Sequence, residues 1–175
     1  TKAEAGVPTW QVLNSGLIYY FFATFMIRFF VQDLPAMEIT PLLHLPVTKS
    51  RISLFLNYRS LLSFFNFLPF FLFLPFSINY LPAYFSHLSA FVWFAAVFLF
   101  EMTSNFLIIR IKRKSIIKPS VVLIVLGIAV VLVLLEKYDI FSLSIISSRY
   151  FGGILSNPIF ILLPLVTTGF FFWEN

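Results

Sequence analysis

The chain of 175 residues has no cysteine, so no disulfide braces it and no thiolate can hold a metal. Charge is scarce as well: Asp, Glu, Lys and Arg together make 11% of the residues. A soluble domain uses about a quarter to cover its surface. That shortage excludes an ordinary soluble fold. Glycine is sparse, and Gly6, Gly16, Gly127, Gly152, Gly153 and Gly169 are not spaced to make a GxxxxGK[ST] phosphate loop. The chain is therefore not expected to hydrolyse ATP by that route. Two histidines, His44 and His87, lie on opposite sides of an apolar run and are not expected to share a metal. Ser115 and Lys118 match SxxK by letter alone, without the companion motifs that would make a nucleophile. No catalytic set, cofactor or metal site is expected.

What fills the chain is apolar. Hydrophobic residues make 60%, aromatics 20%, and phenylalanine alone accounts for 25 positions; the mean hydropathy is +0.96. In lipid every backbone N–H and C=O must pair within its own segment, so runs of this length are helices. The expected fold is an all-α polytopic transmembrane bundle, one domain over 1–175 that is a piece of a longer chain. Five spans are expected, at about 17–31, 52–76, 90–109, 120–135 and 154–173. Pro69 should kink the second and Pro75 should end it, because each proline removes an N–H and crowds the preceding turn. The Ser-rich stretch 140–152 is expected to lie at the interface before the fifth span.

The net charge of +5 is orientation charge, not a nucleic-acid footprint. Lys49, Arg51, Arg110, Lys112, Arg113, Lys114 and Lys118 fall in two joints, whereas the alternate joints hold only Lys2, Lys137 and Arg149. By the positive-inside rule the first set is cytoplasmic, and the segments 77–89 and 136–152 are outside. Pro35, Pro41 and Pro46 prevent a continuous helix through the first joint, which is expected to form an interfacial hairpin. There Leu42, Leu43 and Leu45 stand on a short segment at the water surface, where bare leucines gain nothing unless a partner covers them. This joint is a candidate docking surface.

The run Leu45-Pro46-Val47-Thr48-Lys49-Ser50-Arg51-Ile52, which leads straight into a spanning helix, resembles the coupling segment of type-2 ABC exporter permeases. The wider run from about Phe25 to Leu74 is similar to an uncharacterised family of multi-spanning, ABC-permease-like proteins from Bacteroidetes. The resemblance implies a permease subunit in a bacterial inner membrane, with ATP hydrolysis in a separate partner and a homodimer or second permease half completing the pathway. It also implies that Leu42, Leu43, Leu45, Pro46, Thr48, Lys49 and Arg51 face the ATPase, with the Arg110–Lys118 loop as a second contact. In that arrangement this piece holds the second to sixth helices of a six-helix half. A rival from another class is a structural membrane subunit of an envelope or secretion complex that transports nothing. An intramembrane enzyme fits least, for want of a clustered His, Asp or Ser set.

Inside the spans one residue is not excused by composition. Glu101 stands nine residues before Arg110, about 13 Å along a helix, too deep for a carboxylate to reach water easily. It needs a partner. Asn105 is one turn on, and Arg28 or Arg59 on neighbouring helices can reach a similar depth. Two readings stand: a polar site in a substrate path or proton relay, or an ion pair that sets helix register. Arg28 itself, near the end of its span, is expected to snorkel to the headgroups in preference to burying in an ion pair.

Overall fold

A computed structural model of the chain describes residues 8–31, 46, 48–114, 119–138 and 142–174. All regular structure among them is helical. The order is α1 (Thr9–Val31), α2 (Lys49–Leu61), α3 (Phe64–Asn79), α4 (His87–Lys114), α5 (Pro119–Lys137), α6 (Leu143–Ser156) and α7 (Leu162–Glu174). Short 3₁₀ turns at Leu81–Ala83 and Pro158–Ile161 join α3 to α4 and α6 to α7. Three helical runs are long and apolar enough to cross a membrane, Thr9–Val31, Leu54–Ala83 and His87–Lys112, and the bent pair α6 and α7 makes a fourth if it is one crossing. Five crossings are not found among the described residues.

Burial is inverted relative to a soluble protein. Asn14, Thr24, Arg28, Asn57, Ser60, Asn66, Glu101 and Asn105 are buried, while Phe30, Phe55, Phe71, Phe91 and Trp173 are exposed. Outward aromatics and inward amides are stable together only if the surroundings are as apolar as lipid, so the chain is an integral membrane protein. On α1 the buried residues Asn14, Leu17, Thr24 and Arg28 recur at helical spacing, so its polar stripe faces inward.

The central helix is α4, which packs on α1, α3, α6 and α7. Around its first half lies one apolar cluster that includes Leu17, Phe73, Trp93, Val97, Phe151 and Ile154. Around its second half lies another, with Phe29, Ile52, Leu56, Phe106, Ile108 and Ile109. Glu101 sits on α4 between the two.

Three expectations need correction. The second span does not stop near Pro75: α3 runs through both prolines to Asn79, and the interruption falls at Leu62 and Ser63. The cause is a side chain. Asn66 Nδ2 donates to the carbonyls of Ser60 and Leu61, both at 3.0 Å, so the last turn of α2 has its acceptors satisfied without a continuing helix. The fifth span does not begin at Ile154. Residues 143–156 form α6, which packs along α1 through Ser147, Phe151 and Ile154, and the chain direction then changes by 120° into α7. At that turn Pro158 cannot continue a helix, and the Asn157 side chain caps the 3₁₀ turn by accepting from the Ile159 N–H at 3.1 Å. Lastly, Arg110, Lys112, Arg113 and Lys114 are not in a loop. They form the end of α4, where long basic residues propagate a helix well and their charge complements its C-terminal dipole.

Candidate functional site

The polar layer at Glu101 is built by α1, α3 and α4. Both Glu101 and Arg28 are 0% exposed, and their charges meet directly, Arg28 Nη2 to Glu101 Oε2 at 2.9 Å. The snorkelling expected of Arg28 is thus overturned. Its guanidinium turns inward because α1 presents that face to α4, and a buried carboxylate one helix away gives it more than the headgroup region would. Glu101 Oε1 also accepts from Thr24 Oγ1 at 3.1 Å, one turn before Arg28 on α1. Arg28 Nη1 donates to Asn66 Oδ1 at 2.8 Å, and the guanidinium lies 5.6 Å from the centre of the Phe65 ring.

From there the network continues toward the basic end of the bundle. The same Asn66 that accepts from Arg28 closes α2 through its amide nitrogen. Asn105 donates to Ser60 Oγ at 3.2 Å, Ser60 Oγ to the Asn57 carbonyl at 2.6 Å, and Asn57 Nδ2 to the Phe172 carbonyl of α7 at 3.2 Å. Arg28, Asn66, Ser60, Asn105 and Asn57 therefore tie α1, α2, α3, α4 and α7 into one hydrogen-bonded unit. Two buried atoms stay without a hydrogen-bond partner near the pair, Arg28 Nε and Tyr20 Oη.

Of the intramembrane residues singled out in the sequence, Glu101, Asn105 and Arg28 come together and Arg59 does not, its side chain being exposed on α2. Thr24, Ser60 and Asn66 join the site without having been singled out. A signal for Thr24 was present, since it stands four residues before Arg28 and so on the same face; Asn66, in a run of phenylalanine, was the other clue.

At the basic end, Arg110 pairs with Glu174 at 3.0 Å and lies 5.9 Å from the Phe171 ring centre, and Lys112 Nζ stands 5.7 Å over the Phe29 ring. These contacts fasten the ends of α4, α7 and α1 to one another. Lys118 lies outside the described residues, as do Leu42, Leu43 and Leu45. Of the first joint, Pro46 is an exposed bend, Thr48 is the extended residue before α2, Lys49 opens that helix and Arg51 is exposed in its first turn. The helix thus starts three positions before the expected Ile52. No group of three His, Asp or Glu side chains able to hold a metal occurs among the described residues.

Residues 2–175 match the model of a family of unknown function, DUF5687. The chain belongs to that family. No curated protein matches it, and no solved structure does. For this DUF5687 member the site is therefore read from its chemistry. A guanidinium and a carboxylate at 0% exposure neutralise each other, and the pair joins α1 to α4. It offers no charge to an incoming ligand while the pair is closed.

Proposed function

We propose that this DUF5687 member is the membrane-spanning permease subunit of an ABC-type transporter, driven by a separate ATP-hydrolysing subunit, in a bacterial inner membrane. The observation that carries the reading is the position of α2. It begins at Lys49, inside the segment that resembles a coupling element, and it packs through Ile52 and Leu56 on Phe106, Ile108 and Ile109 of the central helix. A displacement of the joint is therefore delivered to α4 and, through Asn66 and Asn57, to α1 and α7. In such a machine ATP binding closes the partner and moves the joint, and packed helices respond as bodies rather than by bending. Leu42, Leu43, Leu45 and Pro46 supply the apolar contact, while Thr48, Lys49 and Arg51 orient it against acidic groups.

The sealed Arg28–Glu101 pair favours a second reading, a structural membrane subunit that transports nothing, because neither charge reaches a path. One experiment separates them. Burying three leucines at about 1.5–3 kcal/mol each, less ordering costs, is enough for a stable contact. Leu42→Asp with Leu45→Asp should release a co-purifying ATPase and leave the bundle folded, whereas Lys49→Ala should weaken the complex only slightly. Isolation of the wild-type protein with no ATPase, or full retention of the ATPase by the double variant, would remove the coupling role.

A further inference from the structure

Two grooves run in series down one face of α1. The first, of about 290 Å³, lies where α6 crosses the start of α1, and its polar lining is Gln11, Ser15, Ser144, Ser148 and Arg149. The second, of about 110 Å³, lies deeper, between α1, α5 and the start of α6, and is walled by Ile18, Phe22, Leu132 and Leu143. On α1 the lining falls at 11, 12, 15, 18, 19 and 22, a single stripe at helical spacing. The polar groove is at the end of the bundle, beside Trp10, and the apolar one points toward its middle. Ser15 and Phe22 are seven residues apart, about 10 Å along the helix.

The polar groove is built for an anion. Arg149 is exposed, and among the described residues no carboxylate pairs with it. Ser144 and Ser148 share one face of α6 and Arg149 lies beside them, all three lining the groove, where Ser144 Oγ also meets Ser142 Oγ at 3.1 Å and Ser15 Oγ donates to the Val12 carbonyl at 2.7 Å. A planar guanidinium with hydroxyls beside it is the usual protein answer to a phosphate. A free anion needs only this first groove. What it does not explain is the apolar continuation, whose one carboxylate, Glu136, is taken up by the Tyr19 hydroxyl. A polar head site followed one helical turn on by a narrow apolar slot has the polarity of an amphiphile.

We propose that these two grooves form one binding site for a glycerophospholipid, its phosphate on Arg149 with Ser15, Ser144 and Ser148 around it, and one acyl chain laid between α1 and α5. The site is independent of any coupling to an ATPase. It also accounts for the Ser-rich face of α6, whose Ser147 is used internally, donating to the Asn14 carbonyl, while Ser144 and Ser148 face the groove.

The test is thermal unfolding of the detergent-purified chain with added phosphatidylglycerol, diacylglycerol or inorganic phosphate. Phosphatidylglycerol should raise the melting temperature, and diacylglycerol and inorganic phosphate should not. Arg149→Gln, which removes the phosphate partner, and Leu132→Trp, which fills the slot, should each cut that rise by more than half; Arg149→Lys should keep most of it. If either variant is too unstable to measure, Ser144→Ala with Ser148→Ala replaces it and should show the same loss. A rise undiminished in these variants would place the lipid elsewhere. An equal rise with diacylglycerol would remove the phosphate from the argument, and an equal rise with inorganic phosphate would make the site a simple anion site; any of the three overturns the proposal.

Discussion

At the scale of single residues, the decisive pair is Arg28 and Glu101, because each makes the other tolerable. Two ions taken out of water regain their solvation only through mutual attraction and added hydrogen bonds, and Thr24 and Asn66 supply the latter. Removing one partner leaves a bare buried charge, at a cost of about 3–5 kcal/mol. Glu101→Ala and Arg28→Ala should each lower the melting temperature of the purified protein sharply. Glu101→Gln should do nearly as much, since an amide keeps the Thr24 bond but leaves the guanidinium uncompensated. The double variant Arg28→Met with Glu101→Met should recover most of the loss, because a matched apolar pair costs little in an apolar core. If Glu101→Ala melts like the wild type, the pair does not hold the register. The depth of Glu101 was legible from its distance to Arg110, and with it the need for a partner; which arginine answered was not, because two lay at comparable depth on different helices.

Among the elements, the break between α2 and α3 shows a side chain outweighing proline. Pro69 and Pro75 each leave one carbonyl without its N–H, yet the helix continues past them, whereas the break falls where Asn66 caps Ser60 and Leu61. Asn66→Leu should therefore take the side-chain donor from the Leu61 carbonyl and an acceptor from Arg28, while the Ser60 carbonyl keeps the Ser63 N–H at 3.2 Å and Arg28 Nη1 keeps the Glu101 carbonyl at 3.4 Å, at a cost of about 1–3 kcal/mol. Pro69→Ala should leave the break in place. Spin labels on cysteines at the exposed positions Leu54 and Phe71 report this directly: the distance distribution should be unchanged by Pro69→Ala and shifted or broadened by Asn66→Leu. The opposite pattern would return the break to proline. Sequence reading went astray here for a physical reason, since proline acts locally and is visible in the chain, while the capping power of Asn66 depends on how α2 and α3 meet.

For the whole molecule the question is which ends face the same side. Trp10 lies against Phe85 and beside Gly152, which brings the start of α1, the α3–α4 turn and the end of α6 to one end of the bundle. The start of α2 and the last turns of α4 and α7 lie at the other, with Arg51, Arg110 and Lys112. In this cysteine-free chain, single cysteines at Asn79 and Ser156 should label from one side of the membrane and a cysteine at Thr48 from the opposite side. Labelling of Ser156 together with Thr48 would mean that α6 and α7 are not arranged as a hairpin reaching the outer end. By itself the sequence determined the membrane setting, the helical class and the segregation of Lys and Arg into two segments, because hydropathy and charge act on each stretch without reference to the others. Only the tertiary structure decided that Arg28 faces inward, that Asn66 rather than a proline ends α2, that the chain turns by 120° between α6 and α7, and that Arg149 and the serines of α6 lie beside an apolar slot next to α5. Each of those depends on which helix stands opposite, and the pattern along a single helix does not carry that.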